Sequence, residues 1–181
     1  MTRVQGFAPI ADADARILVL GSMPSEASLA AGQYYAHPRN QFWPIVAQLF
    51  RFDVAAPYRA RTQALESAGV AVWDVLHSCV RRGSLDSSIE TDGLAVNDFR
   101  AFFIAHDKIR HVFFNGSKAE HCYKRYVLPG IAPRAIGYVR LPSTSPANAS
   151  LSFADKLAAW QAAFEAEERE MSGAGIVCIS A

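Results

Sequence analysis

Four short apolar segments, separated by helical patterns, form the framework of the chain. Residues 16–20 ("RILVL") and 111–114 ("HVFF") are apolar runs of the kind found in buried strands. Residues 70–76 ("VAVWDVL") and 135–141 ("AIGYVRL") predict two further strands. Strands that alternate with helices form parallel sheets covered on both faces. The pattern therefore predicts an α/β fold, a three-layer α/β/α sandwich with a central four-stranded, mostly parallel sheet.

Amphipathic segments predict the helices of this sandwich. After Asn40, apolar residues three and four positions apart predict a helix that ends near Phe50. Asn97 is predicted to cap a helix that ends at His106, and Ser152 to cap the last helix, which ends near residue 168. Three more helices are predicted over residues 24–31, 58–68 and 117–126.

The segments between these elements are polar or rich in small residues. Residues 77–94 are predicted to form a long loop, and residues 142–150 ("PSTSPANAS") a second one. The helical pattern breaks in "MSGAGIVCISA", so residues 171–181 are predicted to be a disordered tail. Residues 1–170 are predicted to form a single domain, since the chain is of ordinary domain length and shows no internal repeat.

Polar segments follow all four predicted strands. They cover residues 21–40, 74–93, 115–118 and 142–148. Parallel sheets bind ligands at the carboxyl ends of their strands. We therefore expect the four segments to converge on one rim and to form the functional site there.

Composition narrows the kind of protein. The net charge of +1 provides no general field for nucleic acid, so binding to phosphate requires a local basic patch. Three widely spaced cysteines indicate neither a disulfide framework nor a metal cluster, and they favour a reducing cytoplasm. No apolar run approaches the roughly 20 residues of a membrane span, and the N-terminus shows no signal-peptide pattern.

The familiar enzyme signatures are missing from the sequence. There is no Walker loop, no GxGxxG after the first strand, no HExxH or CxxC, and no GxSxG. The five histidines show no metal-ligand spacing. The sequence therefore predicts a site without metal or cofactor, built from amides, hydroxyls and aromatic faces.

Four motifs, in this order, resemble the uracil-DNA glycosylase superfamily. They are "GSMPS" (21–25), "YYAHPRNQFW" (34–43), "VWDV" (72–75) and "LPSTSPANAS" (141–150). The "AHP-x-N-x-FW" stretch resembles the mismatch-specific uracil/thymine glycosylases. "GSMPS" and "STSPAN" are more similar to the hypoxanthine-DNA glycosylase branch, which removes deaminated adenine. The resemblance covers residues 16 to about 165.

This resemblance implies a monofunctional DNA glycosylase that acts as a monomer on DNA containing deaminated bases. Its most favoured substrate is deoxyinosine, from which water releases hypoxanthine. The branch's catalytic asparagine corresponds to Asn40. Met23 lies where much of the superfamily has a polar residue that handles the attacking water, and Leu141 where a His or Asn is common. Standard uracil chemistry is therefore not expected.

Asn40 has three possible roles on the sequence alone. Its amide can orient the attacking water, contact the base, or cap the helix that follows. Capping and catalysis are compatible, so the sequence leaves all three open.

The other candidates divide into base contacts and DNA contacts. Tyr35 is expected to stack on the flipped base, and Asp74 to accept a hydrogen bond from N1–H of hypoxanthine, or else to cap loop amides. Tyr34 is expected to pack in the core. The remaining candidate base contacts are Gly21, Ser22, Met23 and His37, of which His37 could instead contact a phosphate.

The DNA backbone is expected to meet two short segments. Ser117 and Lys118 follow the third strand, and free amides at a helix start attract phosphate. The last loop contributes Ser143, Ser145, Ala147 and Asn148. Pro146 or Ala147 corresponds to the superfamily's wedge residue, and neither is bulky. We therefore expect weak forced flipping, and a preference for mispaired or single-stranded sites. Lys118 is the only lysine expected near the rim.

Three rival functions remain at this point. The same fold could act on uracil in G:U pairs or on several deaminated bases. It could bind flipped bases without cleaving them. A weaker alternative is a hydrolase of free nucleosides or esters, which would work without DNA.

Overall fold

The computed structural model describes residues 2–81 and 93–173. Most of the predicted 77–94 loop, and residues 174–181 of the predicted tail, lie outside the described residues. Within these residues there are seven strands: β1 (Thr2–Gln5), β2 (Ile17–Gly21), β3 (Val70–Asp74), β4 (Leu76–Arg81), β5 (Ala95–Val96), β6 (His111–Asn115) and β7 (Gly137–Leu141). The helices are α1 (Glu26–Ala31), α2 (Phe42–Phe50), α3 (Tyr58–Ser67), α4 (Phe99–Ala105), α5 (Ser117–Cys122) and α6 (Phe153–Gly173).

The predicted four-stranded sheet is confirmed, and every neighbouring pair in it is parallel. The strand order is β3-β2-β6-β7. Ile17 lies beside Val70 on one side and beside His111 on the other. β2 and β3 are buried along their whole length, as continuous apolar runs between two helical layers should be.

Aromatic contacts hold the two helical layers against this sheet. On one face Phe113 packs edge-to-face on Phe164 of α6, with ring centroids 5.0 Å apart. On the other face Phe114 packs on Tyr123, which in turn packs on Phe99 of α4, each at 5.3 Å. The three-layer sandwich is therefore confirmed.

A second, antiparallel sheet was not predicted. β4 pairs with β1 and with β5, in the order β1-β4-β5. The segment 70–76 is not one strand, because β3 ends at Asp74 and β4 begins at Leu76. At this break the Val75 N–H donates to the Gly21 carbonyl, and the Leu76 N–H to that of Ser22. The prediction of loop over 77–81 was therefore wrong.

Three helix boundaries also differ from the prediction. Asp98, not Asn97, caps α4, since its Oδ1 accepts from the Ala101 N–H at 2.9 Å. α5 ends at Cys122 and continues as a π-helical turn over Tyr123–Val127. α6 runs to Gly173, beyond the predicted end near residue 168 and into the predicted tail. Ser152 caps α6 as predicted, because its hydroxyl accepts from the Asp155 N–H at 3.1 Å.

The described residues, 2–81 and 93–173, lack two features. None of the helices there has both the length and the apolar character of a membrane span. Within the same residues, His, Cys, Asp and Glu side chains form no group of three that would hold a metal ion.

Candidate active site

The carboxyl ends of the four parallel strands open into one cleft, as predicted. Gly21, Asp74, Asn115 and Leu141 are the last residues of β2, β3, β6 and β7, and all four line it. The cleft has a volume of about 660 Å³. A cleft of this size, with polar groups from several loops, lies within the range of small-molecule binding sites.

Most of the predicted site residues lie in this cleft. His37 and Lys118 do not line it. The His37 carbonyl accepts from the Asn40 N–H at 2.8 Å, and its Nδ1 from the Arg39 N–H at 3.1 Å, so His37 shapes the turn that precedes α2. The predicted residues that line the cleft are Gly21, Ser22, Met23, Tyr35, Asn40, Asp74, Ser117, Ser143, Ser145, Ala147 and Asn148.

Asn40 lies at the amino end of α2 with its side chain in the cleft. Its Oδ1 accepts a hydrogen bond from the Phe42 N–H at 2.9 Å. The bond supplies an acceptor at the start of α2, as the predicted capping role would, although Gln41 and not Asn40 occupies the N-cap position. The bond engages only the carboxamide oxygen, so the amide NH₂ remains able to donate to a ligand. Capping and ligand contact are therefore compatible at Asn40.

Gly21 brings Asp74 and Tyr35 together on the floor of the cleft. A Cβ atom at position 21 would overlap Asp74 Oδ1 and would lie 3.1 Å from Tyr35 Oη. Only a residue without a side chain therefore allows both polar groups to approach β2 here. Asp74 is 3% exposed, and the Asn97 side chain donates to its backbone carbonyl at 2.8 Å. The sequence suggested no such role for Asn97.

Tyr35 adopts an unusual backbone conformation that places its ring against α2. Its φ is 56°, a left-handed conformation that is uncommon outside glycine. The ring stacks on Phe42 with centroids 4.0 Å apart and planes 25° apart. One face of the ring is thus held by Phe42, and the half-buried side chain borders the cleft.

Tyr34 belongs to the core, as predicted. It is 3% exposed, and its hydroxyl donates to the Ala8 carbonyl at 3.1 Å. Trp43 Nε1 donates to the Tyr34 carbonyl at 2.8 Å. Burial, and to a lesser extent the charge of Asp74, raise the pKa of the Tyr34 phenol. Tyr34 is therefore a neutral core residue that also lines the cleft.

An Asn115–Thr144 pair joins three walls of the cleft. Asn115 Nδ2 donates to Thr144 Oγ1 at 2.9 Å, and the Thr144 N–H donates to Asn115 Oδ1 at 2.8 Å. The Thr144 carbonyl accepts from the Gln41 N–H at 3.0 Å, which ties the last loop to the start of α2. Neither residue was named as a site residue, although both lie in the polar segments 115–118 and 142–148 that were predicted to form the rim.

Comparison with known proteins gives the family. Residues 8–164 match the family described as the uracil DNA glycosylase superfamily. The chain belongs to this superfamily. It is 32% identical over 164 residues to a hypoxanthine DNA glycosylase from Methanosarcina barkeri, covering 89% of this chain and 98% of that one. It is 33% identical over 163 residues to a hypoxanthine DNA glycosylase from Methanosarcina acetivorans, covering 88% and 97%.

A solved structure supports the same assignment. The solution NMR structure of a Methanosarcina acetivorans protein, provisionally named a uracil DNA glycosylase, superposes with a TM-score of 0.72. The two chains are 30% identical, and the match covers 88% of this chain and 98% of that one. The chain is therefore a DNA glycosylase of the superfamily in fold and in sequence.

The two apolar residues that the sequence analysis matched to polar positions of the superfamily both lie in the cleft. Met23 is 7% exposed and Leu141 is 3% exposed, and both line the cleft. Neither side chain can move a proton or bind water. Any polar chemistry must therefore come from other cleft residues such as Asn40 and Asp74.

A second lysine lies near the rim, contrary to the prediction that Lys118 is the only one. Lys156 in α6 is 2% exposed, and its Nζ donates to the Asn148 carbonyl at 2.7 Å. Burial lowers the pKa of this amine. Sequence patterns could not indicate this role, because Lys156 is simply one polar residue in the first turn of a long predicted helix.

The cations around the rim are partly neutralised. Arg140 lines the cleft, and its Nη1 lies 3.3 Å from Glu120 Oε2. Lys124 contacts the other oxygen of Glu120 at 2.8 Å. The basic surface is therefore modest, in keeping with the net charge of +1.

Proposed function

We propose that the protein is a monofunctional DNA glycosylase that releases hypoxanthine from deoxyinosine in DNA. The observation that carries this proposal is the arrangement of Asn40, Asp74 and Tyr35 around one purine-sized cleft at the carboxyl edge of the sheet. Membership of the superfamily and the names of the two Methanosarcina relatives support the same substrate.

The reaction replaces the bond between base and sugar with a bond to water. As the N9–C1′ bond breaks, the sugar gains oxocarbenium character and the base takes the electron pair. Oxygen from water bonds to C1′, and the proton that it loses ends on the departing base or in solvent. In this proposal the Asn40 amide either orients the water or donates to the base. No enzyme amine takes part in this proposal, because neither Lys118 nor Lys156 lines the cleft.

Asp74 supplies the proposed selectivity for the base. Hypoxanthine carries a hydrogen on N1 that a carboxylate can accept, whereas adenine has a lone pair there. A buried carboxylate facing that lone pair would lack a donor, which costs about 1–3 kcal/mol. Tyr35 would stack on the base, a contact worth roughly 1–3 kcal/mol in single-strand complexes.

The rim hydroxyls would contact the DNA backbone. Ser117, Ser143 and Ser145 all line the cleft. His37 and Lys118 lie outside the cleft, so their proposed contacts would be to the flanking phosphates. The small side chains of Pro146 and Ala147 favour sites where extrusion of the base is easy.

An excision assay on a panel of substrates tests this function. Duplexes and single strands that contain inosine, uracil, xanthine or a T mismatch are incubated with the protein and then cleaved by alkali. We expect the fastest cleavage at inosine, faster in mispaired or single-stranded DNA, and no release from free deoxyinosine. Faster cleavage at uracil would show that uracil, and not hypoxanthine, is the preferred base. Tight binding without cleavage would show that the protein binds damaged bases but does not release them.

Asp74→Asn, tested on the same panel, separates base selection from the chemical step. We expect inosine cleavage to fall about 10-fold or more, since the acceptor for N1–H is weakened. If the variant kept the parent protein's preference among the bases, Asp74 would have no part in base recognition.

A further inference from the structure

Lys156 is the most deeply buried cation in the described part of the chain. It is 2% exposed, whereas lysines are almost never fully buried unless they are paired. Its hydrogen-bond partner is the Asn148 carbonyl, 2.7 Å from Nζ. The glycosylase reaction described above makes no use of this amine. Its position therefore needs another explanation.

The partner of Lys156 is the residue that organises the last loop. The Asn148 N–H donates to the Ser145 carbonyl at 3.0 Å, and its Nδ2 donates to the Ser143 carbonyl at 3.1 Å. Its Oδ1 accepts from the Ser150 hydroxyl at 2.9 Å. Asn148 thus closes the loop on itself, and Lys156 attaches the closed loop to α6.

A second side chain of α6 holds the other end of the same loop. Trp160 Nε1 donates to the Pro142 carbonyl at 3.1 Å. Lys156 and Trp160 are four residues apart, so they lie on one face of the helix, one turn apart. Both are buried, and both bind backbone carbonyls rather than side chains. α6 therefore holds the loop by hydrogen bonds at the beginning of the loop and near its end.

These two hydrogen bonds matter because the loop has no bulky side chain that could act as a wedge in the DNA. At its tip are Pro146, Ala147 and the half-buried Ser145, and none of them can fill the space of an extruded base as a large side chain would. A loop of this kind can hold a distorted duplex only if its backbone keeps one shape. A shape set before binding lowers the entropy lost on binding.

We propose that Lys156 is a positioning residue that holds the last loop, residues 142–151, in its DNA-binding shape. The proposal rests on the proposed glycosylase function, since it assigns the loop to the DNA. Lys156 acts through Asn148 and touches neither the base nor the water. Its loss therefore weakens DNA binding and leaves the cleavage step of bound DNA largely intact.

Lys156→Met, which keeps the length of the side chain and removes the charge and donors, tests the proposal. We expect the Kd for an inosine duplex to rise about tenfold or more, while the single-turnover rate at saturating enzyme changes by less than about threefold. Lys156→Arg should restore part of the affinity, because it can still donate to the Asn148 carbonyl. Trp160→Phe removes the other tether and should also raise the Kd.

Glu167→Gln is the matched control. Glu167 lies on the same helix and is 3% exposed, but it packs near His111 at the opposite edge of the sheet. We expect its Kd to be that of the parent protein. The Tm of each helix variant completes the control, because a loss of affinity that only accompanied a fall in Tm would assign Lys156 to the stability of α6 and overturn the proposal.

Amide hydrogen exchange gives a readout that does not need activity. In Lys156→Met the amides of Ser145, Ala147 and Asn148 should exchange faster, with the core strands unchanged. An unchanged Kd with unchanged exchange, or a loss confined to the single-turnover rate, would overturn the proposal. If the parent protein cleaved no base at all, the proposed function would fail, while the affinity and exchange measurements would still decide the role of Lys156.

Discussion

At the scale of single residues, the site depends on an absent side chain as much as on the polar ones. Gly21 ends β2, and the Asp74 carboxylate and the Tyr35 hydroxyl both lie against it. Any Cβ there must displace one of them. The backbone conformation does not explain this glycine, because its φ is not in the left-handed region. The close approach of two functional groups does.

Gly21→Ala should therefore disable the site more than it destabilises the fold. We expect inosine cleavage to fall at least about 100-fold, because Asp74 and Tyr35 must move. Overpacking should lower the free energy of unfolding by about 1–3 kcal/mol. Gly130→Ala is the control, since a Cβ at that position meets no atom within 4 Å. Equal losses of activity in the two variants would show that Gly21 has no special role.

The sequence predicted those site residues that follow strands, and it missed those that act through the folded structure. Asn40, Asp74 and Tyr35 could be found because motif order and strand ends place them. Asn97 and Lys156 could not, because each works through a bond to a backbone carbonyl, of Asp74 and Asn148 respectively. Such bonds join segments distant in sequence or side chains to loops, and no local pattern indicates them.

At the scale of elements, continuous apolar runs predicted strands correctly, whereas short strands of mixed polarity were missed. The four parallel strands were predicted within a few residues. β1 ("TRVQ") and β4 ("LHSCVR") were missed, because each contains several polar residues and they pair across more than 70 positions, as in the Gln5 and Ser78 register. Such pairing depends on the tertiary fold rather than on local propensity.

The Asn115–Thr144 pair makes the connection between β6 and the last loop testable. Thr144→Val keeps the shape of this fully buried side chain but leaves Asn115 Nδ2 without its acceptor. We expect the free energy of unfolding to fall by about 1–3 kcal/mol, and inosine cleavage to fall with it. Thr62→Val, at a threonine bonded to the Arg59 carbonyl on the exposed surface, is the control and should be nearly neutral. Equal stability of both variants would contradict the bridging role.

At the scale of the whole molecule, the two edges of the parallel sheet carry different tasks. The carboxyl edge holds the cleft, while the amino edge holds a buried acidic group. Burial raises the pKa of Glu167, against the smaller lowering effects of Arg16 and His111. One oxygen of Glu167 has no hydrogen-bond partner within the described residues. Burying this carboxylate at the amino edge should lower the free energy of unfolding without affecting the cleft.

Glu167→Gln should stabilise the protein in a pH-dependent way. A raised pKa means that the folded state favours the protonated acid, so this contribution is present below the ordinary pKa of 4.5 and is lost as pH rises through the folded pKa. Glutamine resembles the protonated form. We expect no difference in Tm near pH 4, and a variant more stable by about 1 kcal/mol, or roughly 2–4 °C, near pH 8.

Thermal unfolding across this pH range measures the difference directly. Glu165→Gln, which changes an exposed carboxylate on the same helix, provides the reference for a change of net charge. A Tm difference for Glu167→Gln that does not grow with pH, or that has the opposite sign, would refute the assignment of a destabilising buried charge.

Residue, element and whole molecule all contribute to the cleft, because the proposed reaction depends on a few loop residues that a rigid sheet holds in place. The central claim is that the Asn40 amide takes part in hydrolysis of the bond between base and sugar. Its capping bond to Phe42 complicates a simple deletion, because loss of a cap alone costs about 1 kcal/mol. Asn40→Asp keeps the capping oxygen and removes the NH₂ donor, so it serves as the matched variant for Asn40→Ala.

The most direct test is single-turnover release of hypoxanthine at saturating enzyme by the parent protein, Asn40→Ala and Asn40→Asp. We predict a fall of about 10²–10⁴-fold in Asn40→Ala, with DNA affinity and Tm changed little, and a clear fall in Asn40→Asp as well. Release by Asn40→Ala at the rate of the parent protein would contradict the account.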